Sequence, residues 1–120
     1  MPKLVALAVS LIWSMQVYDD ADHLVGRWCD RPVPGLTTTD RIIEIRQTTA
    51  GGFYIYSLFG DDSELVQRLN ETGTDRWLVF DSATRDGYRI AGGELVMFDF
   101  EGEIRRAPRV LQAEGCRRRH

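Results

Sequence analysis

Turn-forming residues recur through residues 24–111 at intervals of about ten, and short runs rich in β-branched and aromatic side chains lie between them. The plainest turn signals are Ala50-Gly51-Gly52, Gly60-Asp61-Asp62 and Gly92-Gly93. Such spacing is typical of strands that follow one another directly. The sequence therefore predicts an all-β domain, an antiparallel meander of about eight short strands.

Apolar and polar side chains alternate within these runs, as they do along a half-buried strand. Ile43 and Ile45 face one way, and Glu44 and Arg46 face the other. The run 64–71 also fits a short helix, but tight turn signals on both sides favour a strand. The predicted strands are 24–30, 41–48, 53–59, 64–71, 76–81, 88–91, 94–100 and 103–111.

Every connection after Thr39 is short, so neighbours in sequence should be neighbours in the sheet. A meander of eight strands closes most naturally into an up-and-down barrel, because closure removes the exposed edges. A β-sandwich is the alternative. We assign residues 24–112 to this single β-barrel domain.

The first residues resemble a signal peptide. Lys3 precedes an apolar run of twelve residues, 4–15, which is shorter than the roughly 20 needed to span a bilayer. We assign 1–16 to the signal peptide and 17–23 to an acidic N-terminal segment, and we expect a periplasmic or secreted product without a stable membrane span. If Met15 is the true start, the product is cytoplasmic.

The chain has 2 cysteines, Cys29 and Cys116, near the two ends of the folded body. Exported chains commonly pair such residues, so a disulfide is expected, with two free buried thiols as the alternative. No C-x-x-C spacing occurs, which argues against a redox or zinc role.

The formal net charge is −3, and such a mildly acidic body does not favour a nucleic-acid partner. Basic residues concentrate near the end of the chain, in Arg105-Arg106, Arg109 and Arg117-Arg118-Arg119. We interpret residues 113–120 as a solvated basic tail, and contact of these basic residues with a polyanion or an acidic surface is the alternative.

Catalytic and metal-binding patterns are not evident. The 2 histidines, His23 and His120, lie at the ends of the body, away from any predicted pocket. The acidic groups, Asp61-Asp62 and Asp99 with Glu101 and Glu103, fall at predicted turns, where solvated side chains are the simplest interpretation. We therefore expect a protein that is not an enzyme and has neither cofactor nor metal.

Aromatic residues are spread over several predicted strands. The candidate ligand-binding set is Tyr54, Tyr56, Trp77, Tyr88 and Phe98. In a barrel, one set of side chains points inward and can line a cavity. If Tyr54 and Tyr56 are instead exposed on one face, they suit a protein-contact patch.

Gly26-Arg27-Trp28, on the first predicted strand, resembles the Gly-x-Trp motif that opens lipocalin and avidin-type barrels, the calycin group. In that group the tryptophan closes one end of the barrel and packs against an arginine of the last strand. The resemblance implies structural roles for Gly26, Trp28 and Arg106 (or its neighbour Arg105), and it implies small-ligand binding.

The function predicted from these features is that of a non-enzymatic, lipocalin-like exported β-barrel that binds a small apolar ligand. The alternative is a protein–protein interaction module or enzyme inhibitor that binds a protein of the cell envelope.

Overall fold

The computed structural model describes residues 22–31, 40–112 and 116. The predicted signal peptide and nearly all of the basic tail lie outside these residues. The strands are β1 His23–Asp30, β2 Arg41–Gln47, β3 Phe53–Phe59, β4 Glu64–Gly73, β5 Arg76–Val79, β6 Gly87–Ala91, β7 Glu94–Asp99 and β8 Gly102–Ala107. Among the described residues, no helix is long and apolar enough to cross a bilayer.

All eight strands belong to one antiparallel sheet in the order of the chain, β1 to β8. The predicted all-β meander is therefore confirmed. The described strands form one sheet that curls on itself into a half-barrel, and not the two facing sheets of the β-sandwich alternative. The connections β3–β4, β5–β6 and β7–β8 consequently lie at one end, and β2–β3, β4–β5 and β6–β7 lie at the other.

Strand bounds agree closely with the alternation in the sequence. The predicted 53–59 strand is reproduced as β3, and the ambiguous 64–71 run is a strand, extended to Gly73. β5 ends at Val79, two residues earlier than predicted, because Phe80 and Asp81 enter a turn. His23 begins β1, so it belongs to the sheet and not to the acidic segment in which we placed it.

The β6–β7 connection is a two-residue turn in which Gly92 and Gly93 both have positive φ, 61° and 85°. That geometry matches the twist of an antiparallel hairpin and strains residues with a Cβ. The plainest turn signal in the sequence thus forms one of the three two-residue connections of the sheet.

The inner face of the curled sheet forms the main core. Its register follows from pairs such as Trp28 opposite Ile43 and Ile45 opposite Ile55. The buried members are Trp28, Ile43, Ile45, Ile55, Leu69, Trp77, Tyr88, Leu95, Met97 and Ala107.

The two edges of the sheet, β1 and β8, are joined by the segment that follows β8. Cys29 N donates to Pro108 O and Val110 N donates to Arg27 O, both at 2.9 Å, around a bridge between Trp28 and Arg109. These bonds satisfy backbone groups that an open edge would leave exposed.

Candidate functional site

The five predicted ligand-binding residues do not share one face. Trp77 and Tyr88 are register partners on the inner face and belong to the core. Tyr54 and Tyr56 flank the inward-facing Ile55, so they lie on the outer face. Phe98 follows the inward-facing Met97 and also lies outside. The structure therefore brings only two of the five together.

Tyr54 and Tyr56 are buried on the outer face, with exposed fractions of 9% and 3%. The Tyr54 hydroxyl donates to Asp22 Oδ2 at 2.8 Å. Burial, together with the Asp22 carboxylate, raises the pKa of Tyr54 well above its usual value of 10. The exposed tyrosine patch considered from the sequence is therefore not present.

Phe98 is held against the backbone of the neighbouring strand. A Cβ on Gly87 would lie within 2.5 Å of Phe98 Cε1, so only glycine admits the ring there. The Arg76 guanidinium carbon lies 4.4 Å from the ring centroid on the other side. These contacts leave Phe98 only 8% exposed, and they give it a packing role on the outer face.

Trp77 carries an unusual polar group. It is 2% exposed, and its ring centroid lies 5.5 Å from that of Phe53. Among the described residues, its Nε1 is the one buried side-chain nitrogen or oxygen without a hydrogen-bond partner. Most buried polar groups in folded proteins are paired, so this N–H is a candidate ligand contact.

A charged cluster that was not predicted lies on the inner face, at the end of β1. Asp30 Oδ1 accepts from Arg105 Nε at 2.8 Å, and Asp30 Oδ2 accepts from Arg105 Nη2 at 2.7 Å. Arg41 Nε donates to Asp30 Oδ2 at 3.1 Å. Arg41 Nη2 also lies 3.5 Å from Met97 Sδ. One buried carboxylate therefore holds two guanidinium groups, with a formal excess of one positive charge.

The ionisation of Asp30 follows from this arrangement. Burial raises the pKa of its carboxyl, but the Arg105 hydrogen bonds and the charges of both arginines outweigh burial, so the pKa lies below 3.8. Asp30 stays ionised at neutral pH and positions the two arginines.

Gly26 and Trp28 of the Gly-x-Trp motif are in contact. The Trp28 indole lies over Gly26, and its Nε1 donates to Gly93 O at 3.0 Å in the β6–β7 turn. Arg105 pairs with Asp30, and Arg106 pairs with Glu103 and Glu94. Across the edge of the sheet, the arginine that forms a backbone bridge with Trp28 is Arg109. The expected side-chain packing of Trp28 on Arg105 or Arg106 is absent among the described contacts.

Cys29 and Cys116 form the expected disulfide. It lies on the outer face in a small apolar cluster with Ile42, Leu58 and Val110. Asp40 is close enough to both sulfurs to suggest a metal site, but the disulfide engages both sulfurs. The bond thus serves to fasten the C-terminal segment to β1.

One end of the half-barrel, which carries the β3–β4, β5–β6 and β7–β8 connections and which we call the acidic end, is rich in carboxylates. These connections and the strand ends next to them hold seven carboxylates and the guanidinium of Arg85. The seven are Asp61, Asp62, Glu64, Asp81, Asp86, Asp99 and Glu101. None of them has an ion-pair partner in the part of the chain that the structure describes.

Two exposed aromatic residues lie in the connections of this end. Phe80 follows β5 and is 48% exposed, and Phe100 lies in the β7–β8 turn and is 66% exposed. An open depression of about 410 Å³ lies at the β5–β6 connection, and Leu78, Asp81 and Ser82 contribute to its lining. Aromatic side chains of this kind are enriched at protein interfaces.

Local hydrogen bonds hold the turns of the acidic end in place. Phe100 N donates to Thr84 O at 3.1 Å, which ties the β7–β8 turn to the β5–β6 connection. Glu101 N donates to Asp99 Oδ1 at 2.8 Å, and Thr84 Oγ1 donates to Asp86 Oδ1 at 2.7 Å. Carboxylates and aromatic rings are thus presented on ordered turns.

Fold and site define the chain as a small all-β half-barrel with a disulfide and a charged, aromatic end. Comparison with known proteins adds no closer assignment, since no family model, curated protein or solved structure matches the chain.

Proposed function

We propose that this protein is a non-enzymatic, exported interaction module that binds a cationic protein through its acidic end. The observation that carries this proposal is that the acidic end holds both the exposed Phe80 and Phe100 and seven carboxylates that form no ion pair within the described part of the chain. Clustered charge of one sign accelerates the approach of an oppositely charged partner, and aromatic side chains supply contact area after docking.

The contrast between the two ends supports this assignment. Counted over connections alone, 60–63, 80–86 and 100–101 carry five carboxylates and Arg85, whereas 48–52, 74–75 and 92–93 at the opposite end carry a single charged residue, Asp75. Export is supported by the disulfide, since such bonds persist in oxidising compartments. The lipocalin-like resemblance stays a prediction.

Binding to defined proteins tests the proposal. We expect the full chain to bind a small cationic secreted protein such as lysozyme, and to lose that binding when the lysozyme amines are succinylated. Because the attraction is electrostatic, affinity should fall steeply between low and physiological salt.

Matched variants locate the surface. The pair Asp61→Asn and Asp62→Asn should weaken binding, whereas Asp75→Asn at the opposite end should not. Phe100→Ser should weaken it further, whereas Leu111→Ser, which alters a side chain that is 84% exposed elsewhere, should not. Equal effects at the two ends, or no binding to any of a panel of cationic proteins, would reject the proposal.

A further inference from the structure

The open depression at the β5–β6 connection is large enough to hold a small molecule. Its volume is about 410 Å³, and small-molecule sites typically have volumes of about 300–1,000 Å³. β4 and β5 supply part of its lining, and the connection supplies the rest. The lining residues are Asn70, Leu78, Val79, Asp81, Ser82, Ala83 and Arg85.

Two side chains of opposite charge, Asp81 and Arg85, line this depression. Within the described part of the chain, neither side chain forms an ion pair or a hydrogen bond. A cation attracted by the carboxylate is repelled by the guanidinium, and the reverse holds for an anion. A molecule that carries both charges is attracted by both side chains.

The backbone of the connection holds these two residues in an uncommon conformation. Both have positive φ, 64° at Asp81 and 58° at Arg85, which arginine adopts rarely. Arg85 N donates to Ser82 O at 3.3 Å, and Asp86 N donates to Ser82 Oγ at 3.1 Å. Residues held in such conformations are frequent at ligand sites, where surrounding bonds maintain them.

Apolar side chains line another part of the depression. Leu78 and Val79 are half-buried at the end of β5, and Ala83 lies in the connection. These side chains offer contact to an apolar substituent of a bound molecule. The depression therefore matches a small molecule that has two opposite charges and an apolar group.

We propose that this depression binds a small zwitterion with an apolar side chain, such as a free α-amino acid, with its ammonium group on Asp81 and its carboxylate on Arg85. Such a molecule has no net charge, so the other carboxylates of the acidic end do not repel it as they repel an anion. The proposal goes beyond the binding of a cationic protein and does not depend on it.

The test compares three probes that share one side chain: leucine, leucinamide and N-acetylleucine. Leucine carries both charges, whereas leucinamide lacks the carboxylate and N-acetylleucine lacks the ammonium group. Each is titrated into the full chain labelled with nitrogen-15, and the backbone amides of residues 81–85 are followed. Leucine should bind roughly 3- to 10-fold more tightly than either analogue.

Two variants assign the charges. Arg85→Gln should abolish the preference for leucine over leucinamide, and Asp81→Asn should abolish the preference for leucine over N-acetylleucine. Asp75→Asn is the matched control, since Asp75 is also an exposed turn aspartate with positive φ, 53°, and it should change neither preference.

Amide resonances of the strands report whether each variant is folded. If a variant does not fold, the comparison of the three probes on the wild type decides the question. Equal affinities for the three probes, preferences that the variants leave unchanged, or amides that no probe shifts would overturn the proposal. Lysozyme binding is measured separately and should persist in Arg85→Gln, so the two proposals can fail independently.

Discussion

At the residue scale, contacts between aromatic side chains and the backbone of glycine residues shape the half-barrel. Gly26 lies under the Trp28 indole, and Gly87 lies under the Phe98 ring. In both places a large aromatic side chain crosses an adjacent or neighbouring backbone, so the absent Cβ is what allows the contact. The glycine of the Gly-x-Trp motif therefore has a steric explanation in this protein.

Gly26→Ala should destabilise the fold by about 1–3 kcal/mol, because the new Cβ would lie within 2.6 Å of Trp28 Cζ2 and force the indole to move. Gly52→Ala is the matched control, since its Cβ would meet nothing closer than 3.7 Å. Urea unfolding of the two variants measures the difference. Equal stabilities would show that the indole moves without cost.

The Asp30 carboxylate makes the free energy of unfolding depend on pH in the acidic range. Its pKa is lowered in the folded state, so the stabilisation is present above the unfolded value and is lost as the pH falls through the folded value. We expect wild-type stability to fall below about pH 4 and Asp30→Asn to show a flatter profile there.

At neutral pH, Asp30→Asn should cost roughly 2–4 kcal/mol, because Arg41 and Arg105 then face each other without a carboxylate. The lower part of that range applies because Arg105 is 43% exposed. The control is Asp40→Asn, which removes an exposed pair with Arg31 and should cost less than about 1 kcal/mol. Thermal or urea unfolding between pH 3 and 7 distinguishes the two.

Sequence reasoning located Trp77 and Tyr88 but missed the Asp30 cluster. Alternation shows which residues of a strand share a face, and it places Asp30 beside Trp28, but it does not show which face turns inward. Arg41 and Arg105 are 11 and 75 residues away from Asp30, so their convergence depends on the curl of the sheet. The signal in the sequence that could have predicted this cluster is Asp30 itself, because a carboxylate on the same strand face as Trp28 needs a charged partner if it is buried.

At the element scale, the segment after β8 replaces the strand pairing that would otherwise close the barrel. Its backbone bonds to β1 at Arg27 and Cys29, and the disulfide holds Cys116 against the same strand. Arg27 Nη1 also donates to Leu111 O at 2.6 Å. Closure is thus made by a short irregular segment and one covalent bond.

Cys116→Ser should lower the free energy of unfolding by about 4 kcal/mol, the chain-entropy value for a separation of 87 residues. Reduction of the wild type should have a similar effect. The double variant Cys29→Ser with Cys116→Ser should not respond to reductant. A free-thiol count that is the same before and after reduction would instead show that the bond does not form.

The strands themselves were largely predictable, because turn residues and alternation act locally. The bounds of β3 follow from Gly52 and Gly60 on either side. The outer-face positions of Tyr54, Tyr56 and Phe98 were not predictable in the same way, since a strand with aromatic residues on both faces suits either orientation. The half-barrel form depends on edge contacts that no local pattern records.

At the scale of the whole molecule, one sheet carries its main core on the inner face and concentrates carboxylates at one end. Among the described connections, the acidic end holds five carboxylates and one guanidinium, and the opposite end holds only Asp75. This asymmetry favours one orientation on a cationic partner.

Removing residues 108–120 tests how much the bonds between β1 and the segment after β8 stabilise the fold. The truncated chain loses the bonds to Arg27 and Cys29 as well as the disulfide, and it leaves the β1 edge unpaired. We expect greater destabilisation than in Cys116→Ser and self-association in size-exclusion chromatography. A monomer as stable as Cys116→Ser would show that the backbone bonds contribute little.

The disulfide also gives the folded body the topology of a ring. Cys29 lies in the first strand and Cys116 lies beyond the last, so every turn between them is inside a closed covalent loop. A protease that cuts one exposed turn would leave a single molecule, seen as two pieces only after reduction. The ring also cannot close before residue 116 has been synthesised.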